Sequence, residues 1–333
     1  MCQNLIYPEA LSAGDTVGLI ATSTPIDEAG TELPDRAKDR LSEMGFSIIE
    51  APNCRSRHGH TAGTVRERVS ALHQFFEDDQ IDGILSFWGG YNTHQLLEYL
   101  DWDLIRENPK PIIGYSDITC LTNVITDRTG IVTYQGPAGI TFAKPIFYDY
   151  SANWFRKVVM GGGTELTYEP SEKCSDNVWY ERDDQKMVEK VTPDWEAFQP
   201  GVAEGRIIGG NLGTLLLLAG TQYWPEFEGR IFFVEEDEAE SAATIDRMFT
   251  QARQIGIFDK ISGMVVGRLP ESVRGTGGSM EMILSRSLEG YDFPVMTKLD
   301  FGHTDPRFTF PLGVRCRLNS SAKKLTLVER WIK

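Results

Sequence analysis

The stretch Pro111-Ile112-Ile113-Gly114-Tyr115-Ser116-Asp117-Ile118-Thr119 carries an apolar run into a Gly-x-Ser step and then into a helical pattern. A serine on a tight strand-to-helix turn has an exposed hydroxyl, and the N–H of the next residue, Asp117, points where an oxyanion would form. The chemistry on offer is nucleophilic attack. Ile118 replaces the second glycine of the usual Gly-x-Ser-x-Gly, so the turn taken alone reads first as Ser116 capping a helix. A second turn, Phe87-Trp88-Gly89-Gly90-Tyr91-Asn92, also follows a predicted strand. Its paired glycines allow close backbone approach to a ligand, and their N–H groups could complete an oxyanion hole. The plainer reading is a tight turn with Asn92 capping the next helix. Neither phosphate-loop pattern, GxGxxG nor GxxxxGK[ST], occurs there.

A serine nucleophile needs a base, and only five histidines are available. His58 and His60 could bind a metal but lack an acidic helper such as HExxH, so surface polarity explains them better. His73 sits mid-helix beside Phe75 and Phe76 and reads as packing; His94 opens a helix near the double glycine. His303, in Phe301-Gly302-His303-Thr304-Asp305-Pro306, lies in a turn-rich loop after a predicted strand, which suits a base. An orienting acid could come from Glu235-Glu236-Asp237-Glu238, directly after the apolar strand Ile231-Phe232-Phe233-Val234. Ser116, then Glu235 or Glu236, then His303 gives the chain order nucleophile, acid, base.

These residues must be positioned by the elements around them. Strands are predicted at Val17–Ala21, Ser47–Ala51, Ile81–Phe87, Pro111–Gly114 and Ile131–Tyr134, and helices at Asp35–Met44, Thr64–Glu77, Asn92–Leu100 and Asp117–Thr126. Apolar strands without alternation, separated by helices, predict a parallel sheet covered on both faces, with its ligand at the strands' carboxyl ends. From Thr164 to Pro200 no glycine occurs, and Trp179 and Trp195 stand among many charges. That segment reads as a lid-like excursion or as a linker with two anchoring tryptophans. The pattern restarts with strands at Arg206–Ile208, Ile231–Val234, Ile261–Val266, Pro294–Thr297, Gly313–Leu318 and Lys324–Val328. Helices are predicted there at Leu212–Ala219, Ala242–Gln254 and Ser279–Leu288.

At 333 residues the chain is sized for two domains of roughly 150 residues each. A net charge of −15 opposes nucleic acid or an anionic membrane as partner. Five scattered cysteines without a CxxC pair indicate neither a disulfide framework nor a zinc site. The N-terminal residues lack the basic start and apolar stretch of a signal peptide, so a cytoplasmic, reducing location is expected. The uncharged window Ile207–Trp224 contains four glycines and Asn211, and is read as a turn and a buried helix rather than a membrane span.

In order along the chain, WGGYN (88–92), GYSDIT (114–119), GRIIGGNLGTL (205–215), IFFVEEDE (231–238) with IDRMF (245–249), and FGHTDPRFTFPLG (301–313) resemble the LD-carboxypeptidase / microcin C immunity protein family of Ser-Glu-His serine peptidases. The resemblance spans nearly the whole chain. It implies an α/β fold: an N-terminal flavodoxin-like parallel-sheet domain (1–163), a linker or lid excursion (164–204), and a smaller C-terminal α/β domain of swivelling type (205–333). It implies Ser116 as nucleophile, His303 as general base, and Gly90 and Asp117 N–H as the oxyanion hole. The acid is Glu235 when counted from the preceding strand and Glu236 when counted back from IDRM, and the stiffness of a strand end favours Glu235. Asn211, in the GGN turn, resembles a substrate-contacting position of the immunity-protein branch. The long Ser171–Pro200 segment also resembles that branch and offers Trp179 to stack on a nucleotide, whereas FGHTDP departs from the branch's histidine-rich loop. The expected chemistry is cleavage of an amide next to a free carboxylate, in an LD-peptide or a peptidyl-nucleotide, by a homodimer without metal or cofactor. The rivals are a non-catalytic small-ligand binder on the same frame, an amidotransferase-like hydrolase (which needs cysteine where Ser116 stands) and a metal hydrolase using His58 and His60.

Overall fold

The structure, a computed structural model, describes residues 4–176, 178–181, 185–270, 273 and 279–333. Its first sheet contains β1 (Thr16–Ile20), β2 (Ser47–Glu50), β3 (Gly83–Ser86), β4 (Ile112–Gly114) and β5 (Tyr134–Gln135). These five pair in parallel in the order β2-β1-β3-β4-β5, the order of flavodoxin-like sheets. β3 and β4 are buried at every position, which is why the sequence shows unbroken apolar runs there rather than alternation. The helix α1 (Leu33–Glu43) links β1 to β2, and α2 (Val65–Glu77) links β2 to β3. A capping box fixes the start of α2, with the Thr64 hydroxyl accepting from Glu67 N–H while the Glu67 carboxylate accepts from Thr64 N–H. Strand order reverses between β1 and β3, and the crevice beyond their carboxyl ends is where such sheets hold ligands. The loops that border it carry Ser23 and Thr24 after β1 and Trp88-Gly89-Gly90 after β3.

The second sheet has a parallel centre of β10 (Val202–Asn211), β11 (Ile231–Glu235), β12 (Gly263–Gly267) and β13 (Val295–Leu299). β15 (Arg315–Asn319) and β16 (Lys324–Leu327) extend it antiparallel beside β10. The segment 164–204 is more than a linker, because β6 (Leu166–Thr167) and β9 (Glu196–Gln199) form the two edges of this sheet. Between them β7 (Lys173–Cys174) and β8 (Lys190–Val191) make a small hairpin, and residues 177 and 182–184 of this excursion lie outside the described residues. Both tryptophans are anchors: Trp179 and Trp195 are buried, and Trp195 Nε1 donates to Asp300 at 2.8 Å. β14 (Phe310–Pro311) crosses back to pair antiparallel with β5 of the first sheet. The loop after β13 is therefore held between the two sheets.

Several expected elements differ. The strand expected at Ile131–Tyr134 is only Tyr134–Gln135, with Ile131 forming a single bridge to Ile6. The helix expected over Asn92–Leu100 is a 3-10 stretch, Thr93–Tyr99. The helices α3 (Trp102–Glu107), α5 (Gly139–Phe142) and α6 (Asp149–Phe155) went unread, since they are shorter than the window of about 11 residues that periodicity needs. The window Ile207–Trp224 is the end of β10 followed by the short α7 (Leu212–Leu216). Among the described residues no helix is long and apolar enough to cross a membrane.

Candidate active site

Ser116 follows β4 directly and has a left-handed backbone, φ 70°, a conformation that costs a non-glycine residue about 1–2 kcal/mol. Its side chain makes no capping hydrogen bond; a 3-10 turn, Ser116–Ile118, leads instead into α4 (Thr119–Thr129). The simple N-cap reading of Ser116 is thereby corrected. The first-turn N–H groups, Asp117 among them, have no partner within such a helix. Space in front of the hydroxyl is kept by Gly89, where a Cβ would lie 2.7 Å from Ser116 Oγ.

The two turns named by sequence are tied together by the Asp117 side chain. Its Oδ2 accepts from Asn92 N–H (3.0 Å), Thr93 N–H (2.9 Å) and the Thr93 hydroxyl (2.7 Å). Ser23 Oγ accepts from Tyr91 and Asn92 N–H at 3.1 and 3.0 Å. The Gly90 backbone is thus clamped from β1 and from the serine turn at once.

His303 lies in the loop after β13, and its Nδ1 is 2.6 Å from Glu235 Oε2. Glu235 is the last residue of β11, with a side chain only 2% exposed. This bond leaves Nε2 as the uncommitted nitrogen of the ring. Burial pushes the imidazole down, but the Glu235 charge, the hydrogen bond to it and the nearby Asp237 and Glu238 outweigh that and raise it to about 9. Glu236 points elsewhere: its Oε1 accepts from Gly213 N–H (2.5 Å) and its Oε2 from Asn211 Nδ2 (3.1 Å). Burial, reinforced by the Glu235 charge, pushes Glu236 up to about 8, although the Gly213 N–H pulls the other way.

Ser116, Gly89, Gly90, His303, Trp179 and Tyr180 line one cavity of about 590 Å³. No hydrogen bond joins Ser116 to His303, and both line this shared space. Trp88 and Tyr180 meet edge to face at 5.1 Å, as do Trp179 and Tyr180 at 5.7 Å, giving the cavity an aromatic wall. Asn211 is not among its lining residues; it caps α7 by accepting from Thr214 N–H at 2.9 Å and donates to Glu236. His58 and His60 are exposed, and His73 accepts from Asp101 N–H at 2.9 Å. Among the described residues no group of three or more His, Cys, Asp or Glu could hold a metal ion. A separate depression of about 500 Å³ beside β12 and β13 contains none of the site residues named from sequence.

Sequence reasoning missed a buried set around His303. Lys144, from the first domain, forms an ion pair with Asp305, and Arg307 Nη2 donates to Asp305 at 3.2 Å. The Arg307 guanidinium lies 3.9 Å from the centre of the Tyr115 ring, and that ring meets His303 edge to face at 5.0 Å. Asp305 and Arg307 stand in the quoted FGHTDPRFTFPLG string, whereas nothing near Lys144 in sequence marks it.

Comparison with known proteins identifies the family. The family model for the LD-carboxypeptidase N-terminal domain matches residues 17–136, and that for the C-terminal domain matches residues 204–318. The microcin C7 self-immunity protein MccF of Escherichia coli is 32% identical over 97% of this chain and 95% of its own. MccF in complex with aspartyl sulfamoyl adenosine superposes with a TM-score of 0.91 at 31% identity, covering 98% of this chain and 100% of that one. An MccF-like protein from Bacillus anthracis superposes with a TM-score of 0.92 at 34% identity, covering 97% and 99%. The chain belongs to the LD-carboxypeptidase family, and the carboxypeptidase description of both domains marks it as a hydrolase.

Proposed function

We propose that the protein is a serine carboxypeptidase-type hydrolase that cleaves an amide bond next to a free carboxylate through an acyl-enzyme. The observation that carries this reading is the 2.6 Å contact of His303 Nδ1 with Glu235, on a cavity shared with the left-handed Ser116. Ser116 Oγ attacks the carbonyl carbon while His303 Nε2 takes its proton. The N–H groups of Gly90 and Asp117 hold the oxyanion. The carbon–nitrogen bond then breaks, and His303 returns the proton to the leaving amine. Water, deprotonated by His303, attacks the ester carbonyl, and Ser116 leaves with the proton. Glu235 holds the imidazole in the productive tautomer and stabilises its charged form.

The half-buried Trp88 and Tyr180 on the cavity wall, with the buried Trp179 packed edge to face on Tyr180, support a substrate that carries a base, an aminoacyl- or peptidyl-nucleotide, since every base offers a face on which an aromatic ring can stack. MccF in complex with aspartyl sulfamoyl adenosine is consistent with that substrate class. The test is release of the amino acid from aspartyl sulfamoyl adenosine and of D-Ala from an LD-tetrapeptide, followed by mass spectrometry. The reading expects cleavage of the nucleotide compound. Cleavage of the tetrapeptide alone would overturn the nucleotide assignment while keeping the peptidase, and cleavage of neither would favour the binding protein.

A further inference from the structure

Beside Glu235 lies a small cavity of about 10 Å³, lined by Tyr115, Gln135, Glu235, Gly302, Arg307 and Phe308 among others. Two groups facing it are left without hydrogen-bond partners. Glu235 Oε1, the carboxylate oxygen not used by His303, is buried and unpartnered. So are Nε and Nη1 of Arg307, a residue only 1% exposed. Buried polar groups in this condition are costly, by about 1–3 kcal/mol each and more when charged. An orphaned acceptor and orphaned donors around a cavity near the ~10–15 Å³ that one water requires form complementary partners for a single bridging molecule.

We propose that Arg307 is a positioning residue for the hydrolytic site, tied to Glu235 Oε1 through one buried water in this cavity. This inference rests on the reading of Glu235 and His303 as members of the catalytic triad. The guanidinium touches the site from both domains. It stacks on Tyr115, the residue before Ser116, donates to Asp305 two positions after His303, and faces Glu235 across the cavity. Bonding at both carboxylate oxygens fixes the rotation of Glu235, and thereby the ring that its Oε2 orients, much as outer partners orient ligating groups elsewhere. The stacked Tyr115 holds the serine turn in register with that ring.

Two measurements test the proposal. The first is a crystal structure of the full chain at a resolution that shows ordered water. One water within hydrogen-bond distance of both Glu235 Oε1 and an Arg307 nitrogen supports the bridge; an empty cavity, or a direct Arg307–Glu235 contact, overturns it. The second compares Arg307→Lys with Arg307→Met in a hydrolysis assay, alongside thermal melts. Arg307→Met is expected to lower kcat about 10- to 100-fold, the span of one charge-assisted hydrogen bond, with KM held within about threefold. Arg307→Lys, which keeps a charge and a donor, is expected to restore part of kcat. Equal loss of stability in both variants with kcat retained by the folded enzyme would make Arg307 merely structural. Because the water is read crystallographically, its absence leaves the hydrolase reading untouched, and an inert Ser116 would overturn that reading whatever the cavity holds.

Discussion

Glu235 Oε2 lies 2.6 Å from His303 Nδ1, and Glu236, the next residue, turns away to accept from Gly213 N–H and Asn211. Glu235 closes β11 and Glu236 lies just beyond it, and the two side chains leave the strand end toward different partners. One acid orients the base and the other closes a turn beneath it. The contact with His303 favours Glu235 as the acid of the proposed triad.

Glu235→Gln is therefore expected to lower kcat by about 10³- to 10⁴-fold, the scale of spoiling the orienting acid of a triad. Glu236→Gln should keep kcat within a few-fold, because an amide of the same shape can still accept from Gly213. Steady-state rates of the two variants separate the roles, and a reversed order would exchange them.

The pH dependence follows from the charges around His303. With the imidazole raised to about 9 against an ordinary value of 6.5, the base must lose a tightly held proton. The expected profile of kcat/KM rises through pH about 9 and levels off above it. Glu235→Gln removes the main opposing charge, so burial moves the rising limb to lower pH. The folded state binds this proton more tightly than the unfolded chain. The associated stability is thus present in full below about pH 6.5 and is lost as the pH passes through about 9.

Glu236 has the same sign for a different reason. Burial, with the Glu235 charge, raises it from 4.5 to about 8, so the native state favours its neutral form. Its contribution to stability is complete below pH 4.5 and fades as the pH rises through about 8. Urea midpoints of Glu236→Gln relative to wild type should therefore improve between pH 5 and pH 9, by comparison of paired titrations.

Ser116 holds a strained backbone. At φ 70° glycine fits without penalty, so Ser116→Gly is expected to be about 1 kcal/mol more stable than Ser116→Ala. Both should be inactive, and thermal melts of the pair check the difference.

Trp179 tests the substrate class. Trp179→Ala should raise KM for an aminoacyl-nucleotide about tenfold or more, because the buried indole supports Tyr180 and a stacked base is worth roughly 1–3 kcal/mol. Trp179→Phe, which keeps a ring, should stay within about threefold. An unchanged KM in the alanine variant, shown folded by circular dichroism, would remove the stacking role.

Much of this site was legible because its parts sit at strand ends in short, distinctive strings. Ser116 after β4, Glu235 at the close of β11 and His303 after β13 follow from apolar runs and the turns behind them. The positions that tie the parts together were not legible. Asp117 was read for its N–H, yet its carboxylate clamps the Gly90 turn. Asn211, expected as a substrate contact, also caps α7 and donates to Glu236, roles that the GGN string does not show. Lys144 reaches Asp305 across 161 positions of sequence, a pairing that no local period encodes. Edge strands of two residues, such as β6 and β14, hold their place only through partners far along the chain.

The most direct test of the account is hydrolysis of aspartyl sulfamoyl adenosine by wild type and by Ser116→Ala, with products followed by mass spectrometry. The account predicts release of aspartate by the wild type and a rate at least about 10³-fold lower in the variant, whose circular dichroism spectrum is unchanged. Full activity in Ser116→Ala would contradict the nucleophile on which the mechanism rests.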